Sequence, residues 1–107
     1  MANSKELIQD DVMNAVENIE TNPHYLDHED NILEIKVRAG IDGTVNEIIA
    51  VLTTGGPHIE VRLFDATVDG WWNVSSHSVP IMDDEAEAAL NDLAEYYTDY
   101  WENNILA

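Results

Sequence analysis

The apolar residues of this chain change period at Asn31, and that change commits it to a helix followed by a sheet. Upstream, Ile8, Val12, Ala15, Val16 and Ile19 recur at steps of three and four, which predicts a helix from Ser4 to Glu20 with Ser4 as its N-cap. Thr21-Asn22-Pro23-His24 then stops it, and the polar stretch Asp27 to Asp30 leads out through a linker of about ten residues. Downstream, Leu33, Ile35, Val37 and Ala39 alternate with Glu34, Lys36 and Arg38, the two-residue period of a half-buried strand.

The strand period then persists. Ile41-Asp42-Gly43-Thr44 is a turn, and Glu47 to Thr54 is nearly continuously apolar, as expected of a central strand covered on both faces. Gly55-Gly56-Pro57 breaks it, and His58 to Phe64 alternates again with Ile59, Val61 and Leu63 inward. A turn around Asp69-Gly70 is expected to lead into a fourth strand, from Trp71-Trp72-Asn73-Val74 on to Val79 or Ile81. Asp83-Asp84-Glu85 suits the positive end of a last helix, whose Ala86, Leu90, Leu93, Tyr97, Tyr100 and Trp101 share one arc. The expectation is a single α+β domain over residues 1–107. Its N-terminal helix, four-stranded antiparallel meander and C-terminal amphipathic helix pack together, the last helix lying on the sheet.

Charge is the second constraint. Twenty-two Asp and Glu stand against four Lys and Arg, a formal charge of −18, and no cation follows Arg62. Lys36, Arg38 and Arg62 fall on the polar side of the strands, where Glu34 and Glu60 are their expected cross-strand partners. The helices keep the remainder in rows, Glu6, Asp10, Glu17 and Glu20 on the first and Asp84, Asp92, Glu95, Asp99 and Glu102 on the second. Steps of three or four residues rise about 4.5 to 6 Å along a helix, near the spacing of neighbouring phosphates on a nucleic-acid backbone. A domain of this length has a diameter of about 34 Å, and duplex DNA of that length carries about twenty phosphate charges. Such a surface repels nucleic acid, so binding DNA or RNA directly is excluded as a function.

Neither disorder nor salt adaptation accounts for the charge as well. An apolar share of 45% with three Trp, four Tyr and one Phe supports a core, against a disordered acidic segment. Ten Ile and ten Asn are not the profile of salt adaptation. There is no cysteine, hence no disulfide framework and no thiolate chemistry. Neither a basic-then-apolar leader nor an apolar run near 18 residues is visible, so a cytoplasmic protein with no membrane contact is expected.

Dedicated chemistry is not visible either. The Asp27 stretch has Ile32 and Arg38 where a calcium loop needs Gly and Glu, and the Asp83 stretch has Ala88 and Ala94 there. His24 and His28 make at most half of a zinc site, with no further ligands at recognisable spacing. His58 and His77 read as strand residues, and Ser75, Ser76 and Ser78 have no nucleophile-elbow context. Gly55-Gly56-Pro57 has no adjacent Lys and is too short to cradle phosphate. No catalytic residue, metal or cofactor is expected. Trp71-Trp72 puts one indole on each side of the sheet, and an exposed indole beside acids is a contact for a protein partner.

Ile32 to Gly40, Val51 to His58 with its Thr54-Gly55-Gly56-Pro57 turn, and the Trp71-Trp72 strand together resemble small acidic proteins encoded by phages and prophages. The likeness covers residues 31 to 101 and implies a phage setting, since that group has no assigned chemistry. Separately, the acid count and the helical rows resemble the DNA-mimic inhibitors with which phages block restriction enzymes and CRISPR effectors. Those inhibitors share no common fold, so no residue roles carry over. The leading expectation is a non-enzymatic inhibitor in the host cytoplasm that occupies the cationic nucleic-acid channel of a defence protein. The contacts would be Glu6, Asp10, Glu17, Glu20, Asp84, Asp92, Glu95, Asp99 and Glu102. The alternative is a phage accessory module that binds a protein through the sheet or the Trp71-Trp72 pair, the charge serving solubility. A homodimer stays open in both.

Overall fold

The computed structural model describes residues 4–54 and 56–106, apart from the side chains of Ser4, Glu29, Ile105 and Leu106. Helix α1 runs Ser4–Thr21 and is followed by two short 3-10 turns, Tyr25–Asp27 and Glu29–Asn31. Five strands come next: β1 Glu34–Ala39, β2 Val45–Thr53, β3 His58–Arg62, β4 Thr67–Trp72 and β5 Ser75–Pro80. Helix α2, Asp84–Trp101, closes the fold and runs into a single π-turn, Glu102–Leu106. Every strand pairs antiparallel with its sequence neighbour, so the sheet is a meander in the order β1-β2-β3-β4-β5. The N-cap expected of Ser4 falls on a side chain outside the described residues.

Short-range chemistry accounts for the turns. Between β1 and β2, Gly43 has φ 86° and the Asp42 carboxylate accepts the Thr44 N–H at 3.0 Å, a contact that also holds the Asp42 carboxyl below its usual pKa. Between β2 and β3, Thr53 Oγ1 donates to the Pro57 carbonyl at 2.8 Å. Gly55 of the expected Gly55-Gly56-Pro57 breaker lies outside the described residues.

The sheet has five strands where the sequence predicts four. Asp69 and Gly70 do not turn the chain; they lie inside β4, opposite Glu60 and Ile59 of β3. The turn before β4 is made by residues 63–66, with Ala66 at φ 50°. A two-residue hairpin at Asn73-Val74 then divides the expected fourth strand, with Trp72 paired to Ser75 and Asn73 at φ 56°. Gly70 is a glycine for another reason. A Cβ there would lie 2.5 Å from Val12 Cγ2, 2.7 Å from Ile59 Cδ1 and 3.0 Å from Ile8 Cδ1. The missing side chain lets α1 settle onto β4.

Both helices cover the same side of the sheet. Ile8, Val12, Val16 and Ile19 of α1 and Ala86, Leu90 and Ala94 of α2 join Ile48, Ala50, Ile59, Val61 and Val68 in one core cluster. Each fully buried aliphatic side chain there contributes roughly 1.5–3 kcal/mol. Helix α1 lies across β4 and β5, whereas α2 lies towards β2 and the first 3-10 turn. Three predicted core positions fail. Leu33 precedes β1 and is 66% exposed, while Tyr100 is exposed and Trp101 half-buried near the end of α2.

The expectation that β2 is covered on both faces holds for burial but not for the kind of cover. Ile49 and Val51 point away from the helices yet are 5% and 0% exposed. In register they are flanked by Lys36 and Arg62, and by Glu34 and Glu60. The aliphatic stems of these long side chains replace a second layer of helices.

Gly70→Ala should therefore overpack the contact between α1 and the sheet and lower stability by about 1–3 kcal/mol. Urea unfolding checks this, and adding Val12→Ala, which removes the nearest methyl, should recover part of the loss.

Candidate partner interface

The two arginines are engaged on the open side of the sheet. Arg38 Nη1 donates to Glu47 Oε2 at 2.9 Å, and the other Glu47 oxygen lies 4.0 Å from Arg62 Nε. Arg62 Nε donates to Asp69 Oδ2 at 2.7 Å, its Nη1 donates to Asp65 Oδ2 at 2.9 Å, and Ser78 Oγ donates to Asp69 Oδ1 at 2.6 Å. The result is a polar ladder that crosses all five strands. The hydrogen bond to Asp69, with the nearby charges of Asp69, Asp65 and Glu47, raises the Arg62 pKa above its usual value. The expected partners Glu34 and Glu60 are not the ones used. Glu60 bonds His58 Nε2 at 2.9 Å. Arg38 takes Glu47, which stands directly opposite it in the register of β1 and β2, and Arg62, whose register partner on β4 is Thr67, reaches Asp69 diagonally.

The helical side carries the opposite pattern. Asp84, Asp92, Glu95, Asp99 and Glu102 are all exposed, as are Glu6, Asp10 and Glu17 of α1. From Asp84 to Glu102 the row extends about 27 Å along the helix. The molecule is longer than its chain length suggests, at 51 × 29 × 22 Å. Duplex DNA of the long dimension carries about 30 phosphates, so the net charge of −18 gives about six-tenths of that density.

Glu20 departs from its row. It is half-buried, and its Oε2 accepts the backbone N–H groups of Met82 at 2.9 Å and Asp83 at 3.1 Å. Asp83 in turn caps α2 by accepting the Ala86 N–H at 2.9 Å. A carboxylate at the C-terminal end of α1 meets an unfavourable dipole there and a favourable one at the start of α2. Glu20 is thus a brace between the two helices.

The tryptophans divide as the strand period predicts. Trp72 packs against the core, whereas Trp71 is 41% exposed on the open side and stacks on His58, with ring centroids 4.5 Å apart and planes at 21°. The linker holds a feature that sequence reasoning missed. His24 pairs with Asp27, Nδ1 to Oδ2 at 2.8 Å, rather than with His28. The pair forms one wall of a cleft of about 400 Å³ whose other wall is α2, through Ala89, Asp92, Leu93, Tyr96 and Tyr97. In sequence these walls are about 65 residues apart, and no local pattern joins them.

Among the described residues no three His, Cys, Asp or Glu are placed to hold a metal ion. No helix among them is long and apolar enough to cross a membrane. Comparison with known protein families, curated proteins and solved structures finds no match.

Replacing the brace separates structure from binding. Glu20→Ala should lower stability by about 1–3 kcal/mol, since two backbone donors lose a charged acceptor, whereas Asp10→Ala and Glu17→Ala should each change it by less than about 0.5 kcal/mol. Thermal unfolding of the three variants checks this.

Proposed function

We propose that this chain is an acidic, non-enzymatic inhibitor whose helical side fits the cationic nucleic-acid channel of a host defence protein, a CRISPR effector or a restriction enzyme. One observation carries the reading: both arginines are tied up on the open side of the sheet, while Lys5 at the start of α1 is the only Lys or Arg on either helix. Solubility alone is ordinarily met by mixing charges of both signs. A row of one sign on a rigid helix favours a partner of the other sign and speeds its capture. The contacts are Asp84, Asp92, Glu95, Asp99 and Glu102, together with Glu6, Asp10 and Glu17. The resemblance to phage proteins supports a host-cell setting.

A second reading rests on Trp71, whose exposed indole on the open side is the kind of residue that anchors a protein interface. On that reading the chain is a phage accessory module and its charge serves solubility.

Capture from host lysate across a NaCl series distinguishes them. The inhibitor reading predicts nucleic-acid-binding partners whose retention falls roughly tenfold or more between low and high salt. Asp92→Lys/Glu95→Lys/Asp99→Lys should abolish capture and Trp71→Ala should spare it. Salt-independent capture that Trp71→Ala removes would establish the accessory module instead.

A further inference from the structure

The cleft between the first 3-10 turn and α2 has a lining that selects a ligand class. Asp27 stands on one wall and Asp92 on the other. Asp27 Oδ2 is occupied by His24 Nδ1 at 2.8 Å, which leaves its Oδ1 to accept from elsewhere. Leu93 and Tyr97, partly buried against the core, form an apolar base. Tyr96, 62% exposed, meets Tyr97 edge to face with ring centroids 5.3 Å apart.

Two carboxylates in a chain of charge −18 repel an anion, and an apolar ligand would strip water from both carboxylates without compensation. A cation with flat apolar faces satisfies every group. We infer that this cleft receives an arginine side chain presented by a protein partner, its guanidinium stacked on Tyr96 and its N–H fork shared between Asp27 and Asp92. Arginine fits better than lysine because its charge is planar, weakly hydrated and able to donate to two carboxylates while it stacks. The cleft adjoins the α2 row through Asp92, so the inference deepens the inhibitor reading. It rests on that reading only for where the arginine comes from.

The test needs no partner. N-acetyl-arginine amide and N-acetyl-lysine amide are titrated at low salt into the full chain, and binding is followed through backbone amide NMR shifts. The expected result is saturable binding of the arginine probe, with shifts confined to residues 24–27 and 89–97. The lysine probe should bind at least about threefold more weakly. Tyr96→Ala should weaken the arginine probe by about two- to fivefold, Tyr96→Phe should retain it, and Asp92→Asn should erase the preference over lysine. Both side chains are exposed, and unchanged resonances elsewhere confirm that each variant is folded. Absent binding, equal responses to the two probes spread over the acidic surface, or binding indifferent to Tyr96→Ala each overturn the inference. Capture from lysate that persists with an empty cleft leaves the inhibitor reading standing. A filled cleft without captured nucleic-acid-binding proteins removes that reading and keeps the arginine site.

Discussion

A five-stranded sheet with both helices on one side has to keep water from the apolar residues of its other side by some means. Here Ile49 and Val51 are buried on that open side, between Lys36 and Arg62 and between Glu34 and Glu60. Long side chains with aliphatic stems supply the cover, and their charged ends must then be neutralised. Arg62 is met by Asp69 and Asp65, in a ladder that runs through Arg38, Glu47, Arg62, Asp69 and Ser78 across the strands, and Glu60 is met by His58. Three of the four cations of the chain lie on this side. The negative charge of the helices follows from that placement, because the composition holds almost no cations to spread over them.

The same arrangement sets how the helices are held. A charge of −18 pushes the compact state apart, and α2 carries no Lys or Arg of its own to pair with the carboxylates of α1. The helices are held instead by apolar packing and by carboxylates that bind backbone N–H groups. Gly70 lets Ile8 and Val12 approach the sheet, Glu20 bridges from α1 to the start of α2, and Asp83 caps α2. These contacts fix the two acidic surfaces relative to one another. A rigid row of charge meets a partner with less entropy to lose than a flexible acidic tail.

Much of the fold was legible in the sequence because its signals are local. Ile8, Val12, Val16 and Ile19 at helical spacing give α1, and the alternation from Ile35 to Arg38 and from His58 to Val61 gives β1 and β3. Asp69-Gly70 misled because a glycine beside an aspartate carries the same signature whether it turns a chain or admits a neighbouring helix. The hairpin at Asn73-Val74 lacks the glycine that usually marks one, so the fourth and fifth strands merged into one. The acidic rows of α2 were visible from periodicity and are exposed as expected, whereas Glu20 shares that period and is spent on a backbone contact 62 residues away. The cleft between Asp27 and Asp92 depends on how the linker folds back onto α2, a non-local outcome that spacing does not encode.

The proposed function turns on whether the helical carboxylates take the place of backbone phosphates. Competition measures this directly: the captured partner is immobilised, this chain is titrated onto it, and the titration is repeated at rising concentrations of a short DNA duplex. The account predicts that the apparent Kd rises in proportion to free duplex, with no complex containing all three molecules. An unchanged Kd, with partner, duplex and this chain held together, would contradict it.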